Sequence, residues 1–194
     1  MLSPFSIIHS IDGGNGISKD GTIPWNSPST AKYLKEITFG RGKNAVIMGR
    51  VTYESIPENK RPLEGRHNIV ISRSWKHENN HYISVLNSFL EALEYLGGLA
   101  KAYDDIYVMG GEQIFSEALK EYGYLCKRIH VTKFKTDYEC DQFFPWDTVA
   151  NWPLFQEVLK TKDSQLTGPK DKRLPHIASF VFKYVEGEER ISGP

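Results

Sequence analysis

The sequence predicts an α/β domain with a mainly parallel sheet, antiparallel at one edge and flanked by helices. Three observations carry that class. Short apolar runs bounded by glycine or polar residues recur at 5–11, 45–48, 68–72 and 105–109, as strands buried on both faces do. Helix-start signals fall between them. Near the end of the sequence, residues 155–161 and 177–185 read as a closing antiparallel pair.

Taken in order, 5–11 is the first strand, and Asp12-Gly13-Gly14-Asn15-Gly16 breaks it. Residues 16–25 are rich in turn formers and read as a mobile loop. Ser27-Pro28 supplies an N-cap and a proline at the first helical position. The helix then runs to about Phe39, with Thr30, Tyr33, Leu34 and Ile37 spaced to form one inward face. A strand at 45–48 leads into a short helix after Gly49, and the strand at 68–72 ends in Ser72-Arg73. Residues 82–84 form a short strand. Ser88-Phe89-Leu90-Glu91 is a capping box opening a helix towards Leu96. The strand at 105–109 ends in Gly110-Gly111 before a helix over 112–119, and 128–134 alternates like a strand. The polar stretch 162–175, with proline and glycine, reads as a long exposed hairpin loop.

At 194 residues the chain is one ordinary domain, 1–194, long enough to bury a sizeable core. Its 24 basic and 24 acidic residues cancel, which leaves no electrostatic argument for nucleic acid or a membrane surface as partner. No stretch approaches a membrane span, and the opening residues lack the basic region of a signal peptide. Cys126 and Cys140, with no metal-ligand spacing around them, read as reduced thiols in a cytoplasmic protein that holds no metal, a disulfide between them being the alternative. The expected partner is a small molecule. Parallel strands ending in Gly49-Arg50 and in Ser72-Arg73 suggest the carboxyl edge of a sheet, where such folds bind ligands. Gly49 allows close approach of the backbone, with the amides of the next helical turn as an anion site. Arg50, Ser72 and Arg73 form a second anion site beside it, and Arg66 is a further fixed positive charge.

Residues 46–57, VIMGRVTYESIP, and 61–73, RPLEGRHNIVISR, resemble the two long motifs of the dihydrofolate reductase family, V-I-M-G-R-x-T-W/Y-x-S-I-P and R-P-L-x-G-R-x-N-I-V-x-S-R. The loop 16–25 is similar to that family's G-I-G-K-x-G-x-L-P-W, with Ser18 in place of one glycine. Val108-Met109-Gly110-Gly111-Glu112-Gln113-Ile114-Phe115 and Asp141-Gln142-Phe143-Phe144-Pro145 are similar to two further motifs. The likeness covers roughly 5–185. It implies NADPH-dependent reduction of 7,8-dihydrofolate to tetrahydrofolate, or of a related pterin. It implies that the cofactor is held by Ser10, Ile17, Gly49, Arg50, Val51, Thr52, Ser72, Arg73, Gly110, Gly111, Glu112 and Gln113, with a cis Gly-Gly peptide. The substrate ring would lie among Ile8, His9, Trp25, Leu34, Ile56, Met109 and Phe115, and Arg66 would pair with the carboxylate of the substrate's tail. The family also admits fusion to, or association with, a thymidylate synthase, of which this sequence contains nothing.

The resemblance breaks at the catalytic acid. The family carries Asp or Glu six residues after the proline of P-W, and eight before a threonine. From Pro24 forward and from Thr38 backward, both counts arrive at Thr30. Thr132 matches the family threonine that bonds this acid, so the catalytic set becomes Thr30, Thr132 and Trp25, with water between the hydroxyls. Glu36 is on the same helix but about 240° round it. His9 stands where the family has a small or aliphatic residue, close to the missing charge, and Phe115 replaces a frequent tyrosine. Two alternatives therefore stand beside dihydrofolate reduction. One is a reductase of the same fold for another pterin or pyrimidine substrate; the retained Arg66 argues against riboflavin-pathway substrates, which have no glutamate tail. The other is a catalytically silent protein that binds NADPH or folate.

Overall fold

The structure is a computed structural model that describes residues 1–77, 79–99, 101–134, 136–150, 155–163 and 177–184, the last two as backbone only. Its centre is an eight-stranded sheet in the order β5-β4-β3-β6-β1-β7-β10-β9. The strands are β1 (Phe5–Ile11), β3 (Asn44–Gly49), β4 (Arg66–Ile71), β5 (Ile83–Leu86), β6 (Asp105–Val108), β7 (Cys126–Phe134), β9 (Phe155–Asp163) and β10 (Ile177–Tyr184). The first six in spatial order are parallel; β10 runs antiparallel to β7 and to β9. A separate two-stranded sheet joins β2 (Gly16–Ser18) to β8 (Gln142–Phe143). The predicted mainly parallel sheet with an antiparallel edge is thus present. The hairpin loop expected at 162–175 begins later, since β9 extends to Asp163, and residues 164–176 lie outside the described ones.

Continuous apolar strands are needed because helices cover both faces. On one face α1 (Pro28–Phe39) lays Tyr33, Leu34 and Ile37 on Ile8, Val46, Met48 and Val70. On the other, α3 (Phe89–Gly98) and α4 (Glu112–Lys120) cover Ile7, Ile11, Ala45, Ile47, Ile69, Ile129 and Val131. Alternate residues of each strand therefore belong to different cores. The caps read from sequence are present. Ser27 Oγ accepts the Thr30 amide at 3.2 Å, and Ser88 Oγ accepts that of Glu91 at 3.1 Å. The remaining helices are the short α2 (Arg50–Ser55) and α5 (Trp146–Ala150).

This topology places β6 and β1 side by side, although the chain passes from β1 to β3 and only later fills the gap with β6. The carboxyl ends of β1, β3, β4 and β6 then border one crevice, as expected at such a reversal of strand order. Among the described residues no helix is long and apolar enough to cross a membrane, and no cluster of His, Cys, Asp and Glu could hold a metal ion.

Candidate active site

The crevice is a cleft of 1880 Å³ that runs from the ends of β3 and β4 to α1. Its lining includes Gly49, Arg50, Val51, Thr52, Ser72, Arg73, Gly111, Glu112 and Gln113 at one end. Trp25, Thr30, Leu34, Ile56 and Arg66 line the other, while Ile8, His9, Ser10, Ile17, Met109 and Phe115 also border it. Of the candidate site residues, Gly110 and Thr132 are not among its lining.

At the glycine end the backbone itself shapes the wall. The Gly110–Gly111 peptide is cis, and the Gly110 carbonyl accepts the Gly49 amide at 2.7 Å. A Cβ on Gly110, whose φ is 110°, would come within 3.0 Å of the Phe115 ring, so the close approach requires glycine. Register pairs Gly49 with Ile71, so Arg50 and Ser72-Arg73 leave adjacent strand ends together. Arg50 is partly engaged by Glu54 at 3.7 Å, and Ser72 Oγ accepts the Trp75 amide at 3.0 Å. Arg73 has no ion-pair partner among the described residues.

At the α1 end, Trp25 is buried against Phe134 and Tyr138, and its Nε1 donates to Ser10 Oγ at 3.1 Å. It is at once a core residue and part of the cleft wall. Thr30 opens onto the cleft, with its Oγ1 3.0 Å from Ser27 Oγ. The first turn of α1 contains no acidic residue. Thr132 is on the same face of the sheet, in register with Ser10, but is 3% exposed. Thr30 also contacts Ser27, which stands beside it as the helix cap.

Arg66 is 7% exposed. Its Nη1 donates to Thr38 Oγ1 at 2.8 Å and its Nε to the Glu64 carbonyl at 3.0 Å. Thr38 Oγ1 in turn donates to the Leu34 carbonyl at 2.7 Å, which fixes the guanidinium to α1. Among the described residues no carboxylate lies within ion-pair distance of Arg66. Burial pulls its pKa below the usual arginine value, opposed by the charge of Glu64. The sequence used Thr38 only as a counting mark; its distance of eight residues from Thr30 was the one available signal of its role.

His9 requires a correction. It was expected near Thr30, but strand alternation puts it with Ile7 and Ile11, on the face opposite α1. There it stacks on Phe144 with centroids 4.1 Å apart and packs against Phe115 and Trp146. Burial holds its pKa down to about 3, against the opposing effect of the Ser10 backbone, so the ring is neutral at physiological pH.

The loop at 16–25 differs from expectation as well, because its first half is tied down. β2 pairs with β8, Ser18 Oγ donates to Gln142 Oε1 at 2.8 Å, and Lys19 meets Glu139 at 3.1 Å. Asp12 is fully buried and was missed from sequence. It accepts the Gly16 amide at 2.7 Å and the Tyr138 amide at 2.9 Å. Burial opposes its ionisation, but these amides outweigh that and hold its pKa below the usual carboxylate value. A Cβ on Gly16 would lie 2.1 Å from that of Cys140. Cys126 and Cys140 are both thiols, and burial, followed by the bond to Asp12, raises Cys140 to about 12.

Sequence comparison agrees with this geometry. A sequence model of the family described as dihydrofolate reductase matches residues 4–172. Bifunctional dihydrofolate reductase-thymidylate synthase 2 of Arabidopsis thaliana is 38% identical over 160 residues, which is 78% of this chain and 28% of that protein. The dihydrofolate reductase of Aedes albopictus is 35% identical over 153 residues, covering 74% of this chain and 80% of the relative. That of Schistosoma mansoni is 34% identical over 157 residues, 77% and 83%. The chain spans about a quarter of the length of the bifunctional plant proteins it matches, 26–28% in three of them. With the match running from before β1 into the segment beyond β9, and the cleft lying at the strand ends that carry its motifs, the chain belongs to the dihydrofolate reductase family.

Proposed function

We propose that this cleft reduces 7,8-dihydrofolate, or a pterin with the same acidic tail, using NADPH. One observation carries the substrate reading: Arg66, a buried cation with no carboxylate partner among the described residues. An arginine taken out of water without a counter-ion is costly unless a ligand supplies one. Two of its five N–H groups are used, on Thr38 and the Glu64 carbonyl, which leaves three to meet a carboxylate. Leu34, Ile56 and Trp25 supply apolar walls for a flat ring between that cation and the glycine end.

Family membership implies a nicotinamide cofactor in general, and the glycine end fits one. The Gly49–Gly110 contact and the bare Gly111 leave room for a dinucleotide backbone, and Thr52, Ser72, Arg50 and Arg73 can hold its phosphates. The NADPH form is the finer reading, supported by Arg73, which stands beside Ser72 and has no ion pair among the described residues. When bound, the cofactor supplies the hydride. This chain's residues then orient and enclose the ring, and at its polar edge Thr30 and Ser27 offer hydroxyls. Neither hydroxyl ionises at neutral pH, so they position water as the proton source rather than donate a charge-assisted proton. That absence of an acid favours a second reading, a related pterin or pyrimidine as substrate. A thymidylate synthase, fused or separate, is the partner proposed from the plant relatives' names, in a cytoplasmic setting.

The test is NADPH oxidation followed at 340 nm, with dihydrofolate and a panel of tail-less pterins and pyrimidines. Turnover with dihydrofolate well above the tail-less compounds is expected. Equal turnover, or turnover only without the tail, would overturn the role of Arg66.

A further inference from the structure

We infer that the α1 end of the cleft selects heterocycles in their uncharged form, with Thr30 as the specificity-determining residue, and discriminates against ring cations. The inference rests on the proposed function, since it concerns the ring that this end would hold. It begins with charge. The whole chain is neutral, 24 basic against 24 acidic residues, yet the cleft is lined by seven lysines and arginines against three glutamates. None of those glutamates is on α1: Glu64 adjoins Arg66, while Glu112 and Glu117 belong to α4. Lys32 and Arg50 are paired with Glu36 at 3.8 Å and Glu54 at 3.7 Å, and the remaining five cations still exceed the three glutamates, an excess that favours anionic ligand groups over cationic ones.

The local chemistry points the same way. Three hydroxyls line the ring end, those of Thr30, Ser27 and Ser10, and each already contacts another or a neighbour. Thr30 Oγ1 lies 3.0 Å from Ser27 Oγ, and Ser10 Oγ accepts Trp25 Nε1. A hydroxyl both donates and accepts, so Thr30 meets either edge of a neutral ring. For a protonated ring it supplies only a neutral acceptor in a partly enclosed place, while Arg66, Lys35 and Lys32 line the same wall. A ring cation would lose its hydration with no carboxylate on α1 to replace it, the glutamate along that wall, Glu64, standing beside Arg66.

The experiment is a pH titration of binding, by calorimetry, of a 2,4-diaminopyrimidine whose ring nitrogen gains a proton in the accessible pH range. The protein is used with NADPH bound. For the wild type, affinity is expected to fall as pH drops through the ligand's own pKa. Thr30→Asp is expected to reverse the slope, with at least a tenfold gain for the protonated ligand over wild type. Thr30→Val, which keeps the volume and removes the hydroxyl, is expected to weaken the neutral ligand and keep the wild-type slope. Unchanged NADPH affinity shows that each variant is folded. A wild type that binds the cation as well as the neutral ring overturns the inference, and so does a Thr30→Asp slope like that of wild type. Those results with normal dihydrofolate turnover overturn the inference alone. Failure of all three proteins to bind the pyrimidine, with no dihydrofolate turnover, overturns the underlying reading too.

Discussion

Replacing Arg66 with leucine gives opposite expectations for ligand binding and for stability. The side chain is 7% exposed and lacks an ion-pair partner among the described residues, so its charge is a liability in the empty protein. Leucine of similar bulk removes a desolvated cation at the loss of two hydrogen bonds, those to Thr38 and the Glu64 carbonyl. Buried ionic groups exchanged for apolar ones of similar volume are often neutral or stabilising by about 1–4 kcal/mol. The melting temperature of the ligand-free protein should therefore hold or rise. Binding of a ligand with a carboxylate tail should behave oppositely. Two charge-assisted bonds at about 1.5–3 kcal/mol each are lost, roughly 3–6 kcal/mol together, which is more than a hundredfold in Kd. Calorimetric titration with methotrexate measures the first quantity, NADPH titration gives the control, and scanning calorimetry measures the second. A variant that melts several degrees lower and still binds methotrexate as before would refute the reasoning, because Arg66 would then be a structural arginine.

The other predictions concern the cofactor and pH. NADPH should bind more than tenfold tighter than NADH, and Arg73→Ala should remove most of that preference while Arg50→Ala, already shared with Glu54 at 3.7 Å, should remove less; equal affinities in the wild type would sink this assignment. Stability should fall in acid. His9 and His130 have folded pKa values lowered from 6.5 to about 3 and about 4, in each case chiefly by burial. The unfolded chain therefore takes up protons first, and stability present above pH 6.5 is lost as pH falls towards 4 and 3, by on the order of 3 kcal/mol or more per histidine. Unfolding in urea at pH 7 and pH 4.5 checks this, and His130→Phe should flatten the dependence; a free energy of unfolding unchanged between the two pH values would count against it.

By itself the sequence determined the strands of the main sheet, the helices α1 to α4 and most of the cleft's inventory, but not β2, β8 or α5. The strands were legible because burial on both faces demands continuous apolar runs, and α1 because one helical face repeats through Tyr33, Leu34 and Ile37. Gly49, Gly110 and Arg66 were legible from motif and spacing. Tertiary structure decided whatever depends on the packing of segments far apart in the chain. His9 is one residue from Ile8 yet on the other face, and only the helices covering each face decide which of them approaches α1. The loop after β1 is held by partners more than a hundred residues away, as in the Ser18–Gln142 bond, and no local pattern encodes that pairing. Arg66 could be seen as a charge, but its isolation could not. Whether a buried cation has a counter-ion depends on every segment folded around it, and here the fold brings it Thr38 and a carbonyl and, among the described residues, no carboxylate within ion-pair distance.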